Sequence, residues 1–260
     1  MTVSNNQNKK NKKPWKCLVL SLIRHAQARS NTHGWAAGPD SALTPHGHTQ
    51  ADALASKWSR VLIDKLISSH LQRALTTASI LSAANAEHSK NRGYYAVLSE
   101  DLVSVDIDPR VQERKCGELV PRLSLQRQKI DAYHALTGTT VRGRIARNHT
   151  PPEGGESLDA VAERAKDFVL SIMEEHGDSE CGSFGPEDFQ LWKWKSEDAE
   201  KVPSDIPHVT VVSHNVFLGE LYEAMYFWHE GRSQRGLLGV IGQIQIGDLP
   251  LNVFFIVSFF

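Results

Sequence analysis

The chain has 260 residues, with 29 Lys and Arg against 30 Asp and Glu, giving a formal net charge of −1. Its 40% apolar, 8% aromatic and 23% charged residues suit a globular protein and exclude a fibrous, collagen-like or wholly disordered chain. The near-neutral balance also argues against a dedicated nucleic-acid binder, so any anion must be gripped by a few placed cations.

Residues 1–16 are polar, Asn/Lys-rich and aperiodic, and read as a disordered basic tail. The lysines before an apolar run imitate a secretory signal or a nuclear address. However, the run from Cys17 to Ile23 is short, contains Ser21 and meets Arg24-His25 without a small-residue cleavage site. It reads as a first strand buried on both faces of a parallel sheet. Residues 26–46, with Gly34, Gly38, Pro39 and Pro45, form a long loop. Thr44-Pro45 then opens a helix, Thr44 as N-cap and Pro45 at the first helical position, with Ala51, Leu54, Ala55, Trp58 and Leu62 on its inner face.

Leu62–Ser69 reads as a second strand, Arg73–Ala84 as a second helix, and a third strand is expected within Tyr94–Val105. From Asp106 to Pro152 basic residues abound and periodicity is weak, as in a lid or insertion over a site. The breaker cluster Pro151-Pro152-Glu153-Gly154-Gly155-Glu156 is followed by Ser157, which caps a helix with Leu158, Val161, Ala162, Ala165, Phe168, Val169, Ile172 and Met173 on its apolar face. Residues 177–207 are a polar surface excursion, in which Trp192 and Trp194 read as local packing anchors. His208–Ser213 is another strand and Phe217–Tyr226 another helix. The apolar segment 249–260 is a last strand or a tail outside the native fold, and is far short of the ~20 residues that span a bilayer.

Strands alternating with helices predict an α/β domain over residues 17–248, a three-layer α/β/α sandwich around a mainly parallel sheet. The cysteines Cys17, Cys116 and Cys181 are odd in number and widely spaced, which fits reduced thiols in a cytoplasmic compartment. A nuclear location for the basic tail stays open. No feature calls for a membrane or a nucleic-acid partner, and oligomeric state is not readable.

Two histidines directly follow strand-like segments, His25 after Cys17–Ile23 and His214 after His208–Ser213. Ligands of open α/β sheets bind at the carboxyl ends of strands, where helix N-termini add free N–H groups for anions. Arg24 adjoins the first histidine, and Arg73 begins a helix just after Ser68-Ser69. Two guanidinium groups and two imidazoles at one edge suit a phosphoryl group: a neutral imidazole can attack phosphorus, and a second, if protonated, can stabilise developing charge.

The motifs around these residues are more specific. Arg24-His25-Ala26-Gln27-Ala28-Arg29-Ser30-Asn31 resembles the RHGxxxxN signature of the histidine phosphatase superfamily in its phosphoglycerate mutase-like branch. Leu43-Thr44-Pro45-His46-Gly47-His48-Thr49-Gln50-Ala51 is similar to the segment that follows it there, and Ser68-Ser69-His70-Leu71-Gln72-Arg73-Ala74-Leu75-Thr76-Thr77-Ala78 to SSxLxRAxxTA. Glu113-Arg114-Lys115-Cys116-Gly117 resembles ERxxG, Gly154-Gly155-Glu156-Ser157 GGES, and Val211-Val212-Ser213-His214 VVSHG. The likeness runs from about Cys17 to Gly242, in family order. It implies a phosphoglycerate mutase-like fold and a small phosphorylated substrate. It implies that His25 is the nucleophile, that Arg24, Arg73 and His214 clamp the phosphoryl oxygens, and that Glu113 is the acid. It also implies substrate contacts from Asn31, Arg114 and Asn215, and no metal or cofactor.

Two positions depart from the pattern. Ala26 and Asn215 stand where the family usually has Gly. The first adds a methyl where backbone nears phosphate; the second is mild if the position needs positive φ. Glu100, Glu118 and Glu153 are alternative acids, while Glu156 is expected to order the Ser157 helix start. His46 and His48 have an HxH spacing without a third ligand and read as solvated surface. Three functions therefore compete: a phosphomonoesterase, a phosphoglycerate-type mutase with a basic lid (Arg110, Arg114, Lys115, Arg122, Arg127, Lys129, Arg142, Arg144, Arg147), and a non-catalytic phosphate-binding module. Ala26-Gln27-Ala28, in place of the Gly-Glu-Ser that mutases tend to carry, favours the first.

Overall fold

The alternation of buried side chains along the first strand already demands two covered faces. The computed structural model describes residues 16–33, 38–91, 104–117, 146–177, 206–227, 243–246 and 249–258. Its strands are β1 (Lys16–Arg24), β2 (Lys65–Ser68), β3 (Val105–Ile107), β4 (His208–Ser213), β5 (Gln243–Ile246) and β6 (Leu249–Ser258). They form one sheet in the order β3-β2-β4-β1-β6-β5, with every neighbouring pair parallel except β5 and β6. The helices are α1 (Arg29–His33), α2 (Pro45–Trp58), α3 (Gln72–Asn91), α4 (Leu158–His176) and α5 (Asn215–Phe227).

Leu18, Leu20 and Leu22 of β1 point to one face and pack with Val161, Phe168, Val169 and Ile172 of α4 and Phe217 and Leu221 of α5. Val19 and Ile23 point to the other face, among Leu54 and Trp58 of α2 and Ala74, Ala78 and Leu81 of α3. A strand with period two and apolar residues at both parities can only be satisfied this way. The expected three-layer α/β arrangement is therefore the observed one.

The helix ends follow the expected chemistry. Thr44 Oγ1 accepts from Gly47 N–H at 3.0 Å with Pro45 as the first helical residue, and Ser157 Oγ accepts from Ala160 N–H at 3.1 Å. Elsewhere the boundaries move. The second strand contracts to β2, α3 outlasts the expected helix, and the third strand is β3, with residues 92–103 outside the described residues. Short α1 lies inside the segment expected to be all loop. Its start is fixed by Asn31 Oδ1, which accepts from Ala28 N–H at 2.8 Å, a local bond that hydrophobic periodicity does not register. The apolar C-terminal segment supplies β6, paired in parallel with β1. Most of the expected lid (118–145), most of the surface excursion (178–205) and residues 1–15 lie outside the described residues. Among the described residues no helix is long and apolar enough to cross a membrane.

Candidate active site

Register brings the two histidines together. In the parallel pair β1–β4, Arg24 stands opposite Ser213, so His25 and His214 are the first residues past two adjacent strand ends. Their ring centroids lie 5.0 Å apart at 54°. His25 N–H donates to Ser213 O at 2.9 Å, which locks the two exits to each other.

The loop after β1 is held from three sides. Ala26 N–H donates to Thr77 Oγ1, and Thr44 N–H donates to Gln27 O at 2.9 Å. At Gly47 a Cβ would sit 2.0 Å from Gln27 O, so only glycine lets α2 approach this closely. The Ala26 methyl is wholly buried in a small cluster with Ala28, Leu43 and Ala51. It therefore fills core space, which is why the departure from glycine is accommodated.

Hydrogen bonding sets the tautomer of His25. Its Nδ1 lies 2.7 Å from Ala26 O. A carbonyl oxygen can only accept, so Nδ1 carries the proton and Nε2 keeps its lone pair. That lone pair faces Arg73, whose Nε–H donates to it at 3.2 Å. Burial, followed by the charges of Arg73 and Arg24, pushes the His25 pKa down to about 4, so the ring is neutral at physiological pH. Arg73 is itself anchored by donation to Pro39 O at 2.8 Å, and Asp40 Oδ1 accepts from Gln72 N–H at the start of α3.

His214 is fully buried, and among the described residues neither of its ring nitrogens has a hydrogen-bond partner; the same holds for Arg24 Nε. Burial first, and then Arg73, drives the His214 pKa far down. The protonated second imidazole weighed from sequence is thus replaced, in this structure, by a neutral ring carrying one N–H. The physical reason is that a desolvated site already flanked by guanidinium groups rejects a further cation.

Glu113 stands across the cavity. Its Oε1 accepts from Arg114 N–H at 2.9 Å, and its carboxyl faces the backbone N–H groups of Val216 and Phe217 at the start of α5. Burial nevertheless wins over those donors and over Arg73, raising its pKa above the usual carboxylate range. The carboxyl is thereby biased toward the protonated form that an acid must have.

Arg24, His25, Asn31, Arg73, Glu113 and Arg114 line one cavity of about 850 Å³, together with Ser30, Lys115, Cys116 and Glu153. His214, fully buried beside His25, is not among its lining residues, and neither is Asn215. Asn215 is exposed as the first residue of α5, and its backbone is not left-handed. Helix α5 begins directly after His214, so the position asks for a helical residue rather than a left-handed one. Arg114 is buried with Nε donating to Glu156 O at 2.7 Å and Nη2 to His149 O, which spends much of its fork on backbone. Asn31 keeps its place on the cavity, but its Oδ1 is taken by Ala28 N–H. Two cations of the expected basic lid are likewise committed elsewhere, Arg110 to Asp108 and Arg147 to Glu220 and Asp159. His46 and His48 are exposed on α2. Glu100 and Glu118 lie outside the described residues, and Glu153 is exposed on the rim.

Several contacts were not foreseen from the sequence, although Thr77, Ser213 and Glu156 stand inside the motifs. Thr77 orders the loop after His25, and Ser213 Oγ donates to Val111 O at 2.5 Å, tying the Glu113 loop to β4. Arg164 donates to the carbonyls of Arg110 and Gln112 and pairs with Glu156, which also accepts from Lys115 N–H. The available signal was a charged residue immediately beside the apolar face of the most periodic helix.

A family model described as the histidine phosphatase superfamily (branch 1) matches residues 20–182. Proteins called fructose-2,6-bisphosphatase TIGAR B from Danio rerio and fructose-2,6-bisphosphatase TIGAR from Xenopus tropicalis are 28% and 34% identical over 207 and 176 residues. Those matches cover 77% and 64% of this chain, and 71% and 56% of the relatives' own lengths. A protein from Escherichia fergusonii, 28% identical over 160 residues, covers 60% of this chain and 64% of its own length and carries phosphoglycerate mutase in its name. A mycobacterial glucosyl-3-phosphoglycerate phosphatase, solved with inorganic phosphate, is similar with a TM-score of 0.51 at 23% identity. That likeness covers 78% of this chain and 76% of the other, and at such identity it speaks to the fold.

Proposed function

Because the chain belongs to the histidine phosphatase superfamily (branch 1), we propose that it is a metal-independent phosphomonoesterase acting on a small phosphorylated metabolite through a phosphohistidine. The observation that carries this reading is the tautomer of His25: Nδ1–H is consumed by Ala26 O, leaving the Nε2 lone pair aimed into a cavity lined by guanidinium groups.

In the proposed reaction the substrate's phosphoryl oxygens take over the donors of Arg24 and Arg73 and the single N–H of His214. His25 Nε2 attacks phosphorus as the P–O bond to the leaving group breaks. Glu113 delivers its proton to the departing oxygen, and the alcohol leaves. The carboxylate so formed then takes a proton from water. The incoming oxygen displaces Nε2 from phosphorus, releasing inorganic phosphate and restoring both residues. Developing charge on phosphorus is met by fixed donors in a desolvated site, where they act most strongly. The printed names of the relatives support a small phosphorylated metabolite, and the three scattered cysteines support a reducing, cytoplasmic compartment.

Rapid quenching of turnover with a radiolabelled phosphate donor should trap label on His25 and none on His25→Ala. Label that never appears on that nitrogen overturns the proposal. Incubation with 3-phosphoglycerate and bisphosphoglycerate separates hydrolysis from mutase chemistry. Release of inorganic phosphate is expected, and positional transfer without it overturns the hydrolase assignment.

A further inference from the structure

The buried guanidinium of Arg164 lies behind the cavity wall, outside its lining. It rises from α4 with only 13% of its side chain exposed. Its donors go to three successive parts of the acid loop. Nη1 donates to Arg110 O at 2.5 Å and to Gln112 O at 2.9 Å, and Nη2 reaches Glu113 O at 3.4 Å. Its remaining edge meets Glu156, through Nε to Oε1 at 3.0 Å and Nη2 to Oε2 at 3.2 Å. Glu156 in turn accepts from Lys115 N–H at 2.9 Å, and Glu156 N–H donates to Lys115 O at 2.8 Å, so the loop is gripped on both sides of Glu113.

Cζ of the same guanidinium lies over the Phe217 ring, 5.2 Å from its centroid. Phe217 belongs to the first turn of α5, whose N–H groups face the Glu113 carboxyl. One planar group thus spans the two pieces of backbone between which the acid is held. A fork of fixed donors suits such a role, whereas a flexible ammonium supplies charge without that geometry.

We propose that Arg164 is a positioning residue for the general acid: it sets the distance between the Glu113 loop and the α5 N-terminus, and so the aim of the proton at the leaving oxygen. This rests on Glu113 acting as the acid in the proposed function. Misplacement by about an ångström is enough to cost a directed proton transfer much of its rate. A donor that expels a good anion needs no proton, so it should be indifferent to Arg164.

The test is the single-turnover rate of phosphohistidine formation in Arg164→Lys with two donors, an alkyl phosphate and 2,4-dinitrophenyl phosphate. The alkyl donor is expected to slow by about 10- to 100-fold, a partial loss of the roughly 10²- to 10⁴-fold that a general acid contributes. The dinitrophenyl donor should stay within about 3-fold of the parent. Arg164→Ala with added guanidinium serves as a second variant, and partial recovery confined to the alkyl donor is expected. Parallel losses on both donors, or none on either, overturn the proposal and leave Arg164 a structural residue. Glu113→Gln separates the two readings. If it fails to discriminate between donors, the acid assignment itself falls. If it discriminates and Arg164→Lys does not, only the positioning role falls.

Discussion

Strand β4 carries a buried histidine at each end, and the two ends could hardly differ more in how their polar atoms are treated. At the start, His208 Nδ1–H donates to Leu62 O at 2.7 Å, Nε2 meets Ser21 Oγ at 2.7 Å, and the backbone N–H donates to Asp64 Oδ2. Just past the other end, His214 is equally buried, yet both ring nitrogens lack partners among the described residues. Burial depresses the pKa of both. A perturbed pKa therefore does not separate a working histidine from a structural one. The inventory of hydrogen-bond partners differs between the two, and an unsatisfied buried donor costs stability that a bound ligand recovers.

The largest expected effect lies beside the unsatisfied end. His25→Ala should lower kcat by about 10⁴-fold or more while leaving thermal stability near that of the parent, measured by turnover and by melting. Retained turnover would break the comparison, since it would leave the exposed lone pair of Nε2 without a purpose.

The comparison is sharpened by making one substitution at both ends of the strand. His214→Leu should reduce kcat/KM by about 10²- to 10³-fold, and with its unsatisfied nitrogens gone it should melt no lower than the parent. His208→Leu should do the reverse. It strands Ser21 Oγ and Leu62 O and costs about 2 kcal/mol by chemical unfolding, with activity per folded molecule unchanged. Equal destabilisation by the two would remove the distinction drawn here.

Acid titration probes both ends together. The pKa of His208 is about 4 when folded against an ordinary 6.5, so the unfolded chain takes up the proton first. Its contribution is complete above about pH 6.5 and is lost as pH falls toward 4, amounting to about 3 kcal/mol. Urea unfolding at several pH values should show this decline weakened in His208→Leu. In the same range kcat/KM should fall as pH drops through about 4, where the His25 lone pair is lost. It should also fall at higher pH as Glu113, whose pKa is raised, gives up its proton. The smallest effect is expected at Asn215. Asn215→Ala should change kcat/KM by less than about 2-fold and stability by under about 0.5 kcal/mol, since the residue is exposed and off the cavity.

Much of this arrangement was legible in the residues alone. The apolar run from Cys17 to Ile23, the Thr44-Pro45 start and the α4 periodicity each encode a local preference, and the observed β1, α2 and α4 match them. The motifs that contain His25, Arg73, Glu113 and His214 marked these residues as candidates, because their order along the chain is part of the resemblance. Less legible were the surroundings of Asn215 and Arg114, because they depend on which elements reach these side chains. A helix start claimed the first and two backbone carbonyls took up the second.

Sequence by itself determined the α/β class, the elements β1, α2 and α4 with the faces they bury, and the family the chain belongs to, since these follow from periodicity, caps and motif order. Tertiary structure alone decided the tautomer of His25, the neutrality of His214, the raised pKa of Glu113 and the grip of Arg164. Each of those depends on desolvation or on atoms brought within hydrogen-bonding distance by the fold, as where His25 N–H meets Ser213 O across two strand ends. No local pattern can encode a partner that only folding supplies.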